Sequence, residues 1–194
     1  MHSYITRQLA DAQGLMAGML NAPVLLANLQ STAEACILSL SNGGKILLAG
    51  NGGSAANAQH VAGEFVGSFA FDRPGLPAIA LTTNSSLVTA VGNDYGFETL
   101  FARQVRALGN KGDVFIGYST SGKSANILRA FEQAKAKGIV CIGLTGNRGG
   151  PMRQLCDFLL EVPSPETPKI QEGHLVLGHI LCGLVENAMF KAAP

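Results

Sequence analysis

The chain has 194 residues, enough for a domain with a substantial core, and its net charge at pH 7 is +1. This balance does not favour a nucleic-acid or membrane partner, because both attract proteins with a clear excess of positive charge. Charged residues make up only 14% of the chain, against a typical share of about 25%. So low a proportion predicts that part of the surface is buried against other subunits.

The N-terminal segment and the cysteines indicate a cytoplasmic protein. The first residues lack the apolar core of a signal peptide, and no continuous apolar run reaches the roughly 18 residues of a membrane span. The four cysteines show no C-x-x-C spacing. Cys36, Cys141 and Cys182 stand in apolar surroundings, so we expect buried free thiols.

Residues 1–43 are predicted to form two helices, at 3–20 and 23–42. Apolar residues recur at helical spacing in both, and Asn42-Gly43-Gly44 supplies a glycine where a helix C-cap favours positive φ. Because their apolar faces are broad, we expect these two helices to mediate oligomerisation.

Residues 44–194 alternate between strand and helix and are predicted to form the α/β core of a single domain. Apolar strands separated by helices indicate a doubly wound parallel five-stranded sheet, which binds ligands at the carboxyl ends of its strands. The predicted strands are 45–50, 78–82, 113–119, 139–145 and 157–162, and the predicted helices are 54–68, 97–108, 124–137 and 170–191.

A glycine loop follows the first strand. Gly50, Gly52 and Gly53 lie between the apolar run 46–49 and a helix that starts at Ser54. Backbone N–H groups at a helix N-terminus bind anions, so the loop predicts a phosphate ligand. It also fits the dinucleotide fingerprint G-x-G-x-x-A, but the second strand ends without the acidic residue that binds ribose. A turn that only packs helix on strand is the other alternative.

A second loop, Gly117 to Ser124, fits the P-loop pattern G-x-x-x-x-G-K-[ST]. A P-loop kinase or hydrolase also needs an acid at the end of a neighbouring strand to hold magnesium, and neither later strand supplies one. Four hydroxyls remain, which suit a phosphate monoester, unless the first two only cap the helix: Ser119, Thr120, Ser121 and Ser124. We assign no chemistry to the third glycine segment, 145–150.

His60 and Glu64 stand four residues apart on the helix that the glycine loop opens. This spacing puts both on one face, where they could share a metal, transfer protons or form a solvent-facing pair. Gln171 and His179 lie on a later helix, about 12 Å apart along its axis. One metal could hold both only if Gln171 precedes the regular helix or if neighbouring subunits contribute.

Several segments together resemble the phosphoheptose isomerases, a family with a single sugar-isomerase (SIS) domain. The resemblance runs from about residue 4 to residue 190, in order and with the family's spacing. The segments that carry it are Gly50-Asn51-Gly52-Gly53-Ser54-Ala55-Ala56, Ala58-Gln59-His60, Glu64-Phe65, Arg73-Pro74-Gly75, Gly92-Asn93-Asp94, Ser119-Thr120-Ser121-Gly122 and Ile170-Gln171-Glu172 with His174.

The resemblance implies an SIS fold and the isomerisation of sedoheptulose 7-phosphate, the first step toward the ADP-heptose of lipopolysaccharide. It also implies a cytoplasmic homotetramer with its sites at subunit interfaces and one Zn²⁺ per subunit. The implied catalytic pair is Glu64 and His179, and the implied metal ligands are His60, Glu64, Gln171 and His179. The implied substrate contacts are Asn51, Gly52, Gly53, Ser54, Glu64, Asn93, Asp94, Ser119, Thr120, Ser121, Ser124 and Gln171.

Three positions depart from the family pattern: Asn57 and Asn84, where many members carry aspartate, and Lys123, where many carry asparagine. None touches the implied catalytic pair. The alternative within the family is a non-catalytic tetramer that binds the replication initiator DnaA and lacks the catalytic glutamate and the last histidine. Because Glu64 and His179 are both present, the resemblance favours the enzyme.

Overall fold

The computed structural model describes residues 1–191, in which five strands pair in parallel. The strands are β1 (Ile46–Ala49), β2 (Ala78–Ala80), β3 (Val114–Tyr118), β4 (Val140–Gly146) and β5 (Phe158–Val162). Their order across the sheet is β2-β1-β3-β4-β5. The predicted α/β class and all five strands are therefore confirmed. After β1 the chain adds β2 on one side of it and then crosses back to add β3 on the other side. A parallel sheet opens a crevice for ligands at such a reversal of strand order, here between β1 and β3.

Seven α-helices connect and flank these strands. They are α1 (His2–Leu20), α2 (Pro23–Ser41), α3 (Gly53–Val66), α4 (Ser85–Tyr95), α5 (Leu100–Leu108), α6 (Ala125–Ala136) and α7 (Thr167–Phe190), with 3-10 turns at Phe97–Thr99 and Gly150–Gln154. Of these, α4 was not predicted; it buries none of its residues fully, and its apolar side chains Leu87, Val88 and Val91 are partly buried against the core. Its start is marked by the Asn84 side chain, which accepts a hydrogen bond from the Leu87 N–H at 3.0 Å.

The predicted start of the last helix, residue 170, is wrong by one turn. Helix α7 begins at Thr167, with Pro168 in its first turn, where a missing N–H costs no hydrogen bond. Gln171 therefore lies inside regular helix. This removes one of the two ways in which Gln171 and His179 could have reached the same metal.

Alternate residues of each strand face opposite sides of the sheet, so there are two apolar layers. On one face, Ile46 and Leu48 pack with residues of α1, α2, α3 and α7. On the other face, Leu47 and Ala49 pack with α5 and α6. The N-terminal helices thus belong to the core: Leu15, Met19, Leu25 and Leu29 are buried within this chain rather than kept for another subunit.

Helices α2 and α7 are long and apolar enough, by length and composition alone, to cross a membrane. Both contribute buried side chains to the layer that covers the sheet, among them Leu29 of α2 and Leu177 of α7. Core helices of soluble proteins meet the same criterion, so this is weak evidence for a membrane span.

His174 lies at the centre of this layer, on α7. It is fully buried, and its ring packs against the ring of Tyr118 with centroids 5.8 Å apart. Neither ring nitrogen makes a hydrogen bond within the described residues. Burial lowers the pKa of His174 to about 4, an effect that the nearby Thr145 backbone partly opposes.

This buried imidazole makes the fold sensitive to acid. Between pH 6.5 and about 4 the unfolded chain takes up a proton at His174 and the folded chain does not. The free energy of unfolding should therefore fall by up to about 1.4 kcal/mol per pH unit as the pH drops through this range. Thermal unfolding followed from pH 7.5 to 4.5 should show this slope. The slope should be smaller in His174→Leu and unchanged in His2→Leu, where the histidine is exposed; equal slopes in all three proteins would contradict the assignment.

Candidate active site

The glycine loop connects the carboxyl end of β1 to α3 and lies beside α7. A Cβ on Gly53 would come within 2.6 Å of the amide atoms of Gln171, so the Gln171 side chain packs directly against this glycine. Asn51 exchanges two amide hydrogen bonds with Asn126 of α6, at 2.8 and 2.9 Å. The loop is thus held from both sides, and Ser54 is buried at the start of α3.

The hydroxyl loop lies at the carboxyl end of β3. Ser124 occupies the N-cap position of α6, yet no side chain makes the capping hydrogen bond. Instead, the Ser119 and Ser124 hydroxyls are 2.8 Å apart, and the Ser121 hydroxyl accepts a hydrogen bond from the Lys123 N–H at 3.2 Å. The Ser119 hydroxyl also accepts a hydrogen bond from the Ser124 N–H at 3.4 Å, so the hydroxyls stand together at the helix N-terminus. Their assignment to a phosphate stays a prediction.

A cavity of about 220 Å³ opens beside this loop. Lys123 and Arg148 line it, and its lining contains no carboxylate. The other lining residues are Thr120, Ser121, Gly146, Asn147, Ser164, Pro165, Thr167 and Ile170. Two cations and four hydroxyl-bearing residues around one cavity favour an anionic ligand.

The segment 145–150, to which the sequence assigned no chemistry, supports the hydroxyl loop. The Gly146 N–H donates to the Thr120 carbonyl at 3.1 Å, and the Met152 N–H donates to the Gly122 carbonyl at 3.2 Å. It also brings Arg148 to the cavity. Arg148 could have been suspected only from its position after β4, because all parallel strands end at the same edge of the sheet.

His60, Glu64 and His179 form a cluster, which we call the triad, on the outer surface where α3 and α7 meet. The Nε2 atoms of the two histidines are 2.8 Å apart, and His60 Nε2 is 3.2 Å from a Glu64 carboxylate oxygen. The ligand atoms all lie within 4.8 Å of one another. His60 and Glu64 are 45% and 24% exposed, so the cluster is open to solvent and substrate.

The triad has the donor set of a transition-metal site. Two neutral imidazole nitrogens and one carboxylate oxygen that converge on one point are common ligands of zinc, which keeps a further position for water or substrate in catalytic sites. These three residues therefore fit the metal that the sequence resemblance implies. Cys182 lies near Glu64, but burial raises the pKa of its thiol to about 12, so it stays protonated.

Gln171, the fourth expected ligand, is not part of this cluster. It lies two turns before His179 on α7, about 12 Å along the axis of a regular helix. Its side chain packs against Gly53, and its carbonyl accepts a hydrogen bond from the Asn57 side chain at 3.1 Å. Of the two alternatives, a Gln171 that precedes the regular helix is therefore excluded in this structure, because α7 runs without a break through both positions.

Asn93 and Asp94 lie near the end of α4. Both are exposed, and the Asn93 amide donates to the Asp94 carboxylate at 2.8 Å. Neither lines the cavity beside the hydroxyl loop, and neither belongs to the triad. Their assignment as substrate contacts stays a prediction.

Two contacts of the site were missed by the sequence reading. Asn126 holds the glycine loop through Asn51, and the ring of Phe69 lies 5.5 Å from that of His179. An asparagine early in a helix and a phenylalanine in a loop carry no local signal for such roles. Both depend on contacts between segments far apart in the chain.

Comparison with known proteins gives a consistent result. Residues 16–146 match the SIS domain family. The chain is 71% identical over 188 residues to a phosphoheptose isomerase of Burkholderia pseudomallei, covering 97% of this chain and 95% of that one. It is 55% identical over 191 residues to the phosphoheptose isomerase of Aneurinibacillus thermoaerophilus, covering 98% and 96%. The solved structure of phosphoheptose isomerase from Neisseria gonorrhoeae superimposes with a TM-score of 0.90 at 41% identity, covering 96% and 98%.

The triad leads to a prediction about metal binding. His60→Ala removes one of three converging donors, so Zn²⁺ affinity should fall by at least about tenfold. Losing a residue that only orients a metal ligand already lowers affinity about 10–100-fold, and losing the ligand itself should cost no less. Competition with a chromophoric chelator measures this directly. His2→Ala, at an exposed histidine of α1, should bind Zn²⁺ like the unmodified protein. Equal affinity in His60→Ala would show that the metal binds elsewhere.

Proposed function

Since the chain belongs to the phosphoheptose isomerase family of SIS-domain proteins, we propose that it converts sedoheptulose 7-phosphate into D-glycero-D-manno-heptose 7-phosphate. The observation that carries the proposal is the convergence of Glu64 with two histidines on the surface of α3 and α7. A carboxylate beside imidazoles supplies the acid and base groups that a ketose–aldose isomerase needs.

The phosphate of the substrate would bind at the hydroxyl loop. Ser119, Thr120, Ser121 and Ser124 offer hydroxyl donors, and the first turn of α6 offers free N–H groups. Lys123 and Arg148 add positive charge to the adjoining cavity. A phosphate ester of charge near −2 is favoured there over a neutral sugar.

The sugar itself would extend from this loop over the glycine loop. Gly52 and Gly53 present backbone there, and the Asn51 and Gln171 side chains lie at its edges. Asn93 and Asp94 would contact the sugar from α4. Ser54, which is buried, would act through its backbone N–H at the start of α3.

Glu64 would move the proton. Isomerisation takes a proton from C1 of the ketose and returns one to C2 through an enediol, so a single base must reach both carbons. The two oxygens of a carboxylate can accept and return the proton from one position, and Glu64 is partly exposed beside the histidines. As a metal ligand it would be a weaker base, so Glu64 would serve as ligand and as base in different states of the cycle.

His179 would open the sugar ring. A histidine can donate a proton to the ring oxygen and accept one from a hydroxyl near neutral pH. Its ring is held between His60 and Phe69, with centroids 5.0 and 5.5 Å away. Zinc held by His60, Glu64 and His179 would, when bound, polarise the carbonyl of the substrate as a Lewis acid.

Assembly would complete the site. Because Gln171 lies about 12 Å from His179 along α7, a neighbouring subunit is the remaining way to bring a Gln171 to this triad. The apolar side chains that α1 and α2 leave exposed suit such an interface: Tyr4, Ile5, Leu9, Leu20, Val24, Leu26 and Leu38. We therefore propose a homotetramer in the cytoplasm, with residues 1–43 among its contacts and residues 44–194 forming the sugar-phosphate-binding core of one SIS domain.

The non-catalytic alternative, binding of the initiator DnaA, has no support. Such a protein lacks the glutamate and the histidine that here form the triad, and the curated relatives reported above carry the name of the enzyme.

Glu64→Gln tests the catalytic proposal. The amide cannot act as a base, so turnover should fall at least about hundredfold, because general base catalysis supplies 10²–10⁴-fold. Substrate binding and subunit mass should not change. The measurement is isomerisation of sedoheptulose 7-phosphate, with Glu132→Gln on the exposed face of α6 as the matched control. If Glu64→Gln kept more than about a tenth of the rate, the base would be another residue, and Asp94 would be examined first.

Removing hydroxyls tests the phosphate site. Each hydrogen bond to a charged group contributes about 1.5–3 kcal/mol, so the double variant Ser121→Ala, Ser124→Ala should raise KM at least about tenfold. Ser41→Ala, at an exposed serine, should not change KM. An unchanged KM in the double variant would mean that the phosphate binds outside the hydroxyl loop.

Light scattering at micromolar concentration tests the assembly. The unmodified protein should have four times the mass of one chain. Val24→Glu places a charge on the exposed apolar face of α2, so it should shift the protein toward smaller species. A monomeric mass for the unmodified protein would refute the tetramer.

A further inference from the structure

Arg73 and Glu186 form a buried ion pair behind the triad. The Arg73 Nε atom donates to Glu186 Oε1 at 2.9 Å, and the two side chains are 2% and 0% exposed. Arg73 lies in the loop between α3 and β2, and Glu186 lies two turns after His179 on α7. The reaction proposed above uses neither residue. A buried pair is costly to desolvate and so calls for a reason beyond stability.

The remaining Arg73 donors bind the end of α3. Nη2 donates to the carbonyl of Glu64 at 2.8 Å, and Nη1 donates to the carbonyls of Phe65 at 2.8 Å and Gly67 at 3.3 Å. The Phe65 carbonyl also accepts a hydrogen bond from the Leu76 N–H at 2.9 Å, and a cation is favoured beside the carbonyls of a helix C-terminus. Arg73 therefore holds the peptide group of Glu64 itself.

Glu186 acts on the third member of the triad, His179. Its carboxylate accepts hydrogen bonds from the N–H groups of Phe69 at 2.9 Å and Ala70 at 2.8 Å. Burial acts to raise the pKa of Glu186, but these N–H groups and Arg73 outweigh it and lower the pKa below its ordinary value. The ring of Phe69 packs on His179. Glu186 thus fixes the neighbour that orients His179.

The triad needs this external support because it is exposed. His60 and Glu64 are 45% and 24% exposed, and their side-chain hydrogen bonds and ion pairs are with one another or with His179. Little packing at the surface holds their separation. The ion pair instead joins α3 to α7 from within, through the hydrogen bonds of both charged groups.

We propose that Arg73 and Glu186 are positioning residues that set the distance and orientation of Glu64 relative to His179, and thereby the geometry in which the triad binds a divalent cation and acts on the substrate. The catalytic half rests on the proposed function; the metal-binding half does not. Glu186 lies 16 residues, about 24 Å of helix, beyond Ile170, which lines the cavity beside the hydroxyl loop, so the pair should not affect phosphate binding.

Arg73→Lys is the first test. Lysine keeps the charge, but its single ammonium cannot bond Glu186 and three carbonyls at once, as the planar guanidinium does. Zn²⁺ affinity, measured by chelator competition, should fall about 10–100-fold, the usual effect of losing a partner that orients metal ligands. With Zn²⁺ saturating, kcat should fall by a similar factor while KM changes less than about threefold.

Arg129→Lys is the matched control. Arg129 pairs with Glu98 at 2.8 Å, but both side chains are about half exposed, so the same substitution there should leave Zn²⁺ affinity, kcat and KM unchanged. If Arg73→Lys does not fold, the double variant Arg73→Met, Glu186→Met replaces it, since that variant leaves no unpaired buried charge. It should show the same losses in Zn²⁺ affinity and kcat.

The outcomes separate the two proposals. A folded variant that binds Zn²⁺ as tightly as the unmodified protein would overturn the positioning role. A variant in which only KM changes would overturn it as well. If the variant binds Zn²⁺ more weakly while the unmodified protein does not isomerise sedoheptulose 7-phosphate, the positioning role is supported and the proposed function is refuted.

Discussion

The packing of α3 against α7 is the interaction on which the rest of the site depends. The two helices run side by side in the same direction: Gly53 meets Gln171, Val61 meets Gly178, and His60 meets His179. A Cβ on Gly178 would come within 2.6 Å of a Val61 methyl, so the contact requires a glycine there. This close approach lets side chains from two distant segments converge on one point.

Binding and chemistry are thereby placed on different parts of the fold. The glycine and hydroxyl loops lie at the carboxyl ends of β1 and β3, where the strand order reverses and backbone N–H groups point outward. The triad lies on the flank of the helix pair, about two turns along α3 from the glycine loop. A phosphorylated sugar of seven carbons is long enough for its phosphate and its reacting carbons to engage separate groups of residues, which suits such a division.

The secondary structure and the loops could be predicted because their signals are local. The apolar runs of the five strands, the glycines of residues 50–53 and the hydroxyls of residues 119–124 each depend on neighbours in the sequence. Helix α4 was missed although Leu87, Val88 and Val91 recur at helical spacing and pack against the core. The start of α7 was placed three residues late, since Pro168 lies in the first turn of the helix.

The sequence by itself determined the α/β class, the anion-binding loops and, through the spacing of His60 and Glu64, two of the three members of the triad. Helical periodicity and strand apolarity arise from contacts that every residue makes with its neighbours, so they can be read along the chain. Only the tertiary structure decided that His179 joins His60 and Glu64 while Gln171 does not, and that Arg73 and Glu186 are buried behind them. Which face of α7 meets α3, and in which register, depends on side-chain shapes more than a hundred residues apart, and no local pattern encodes that contact.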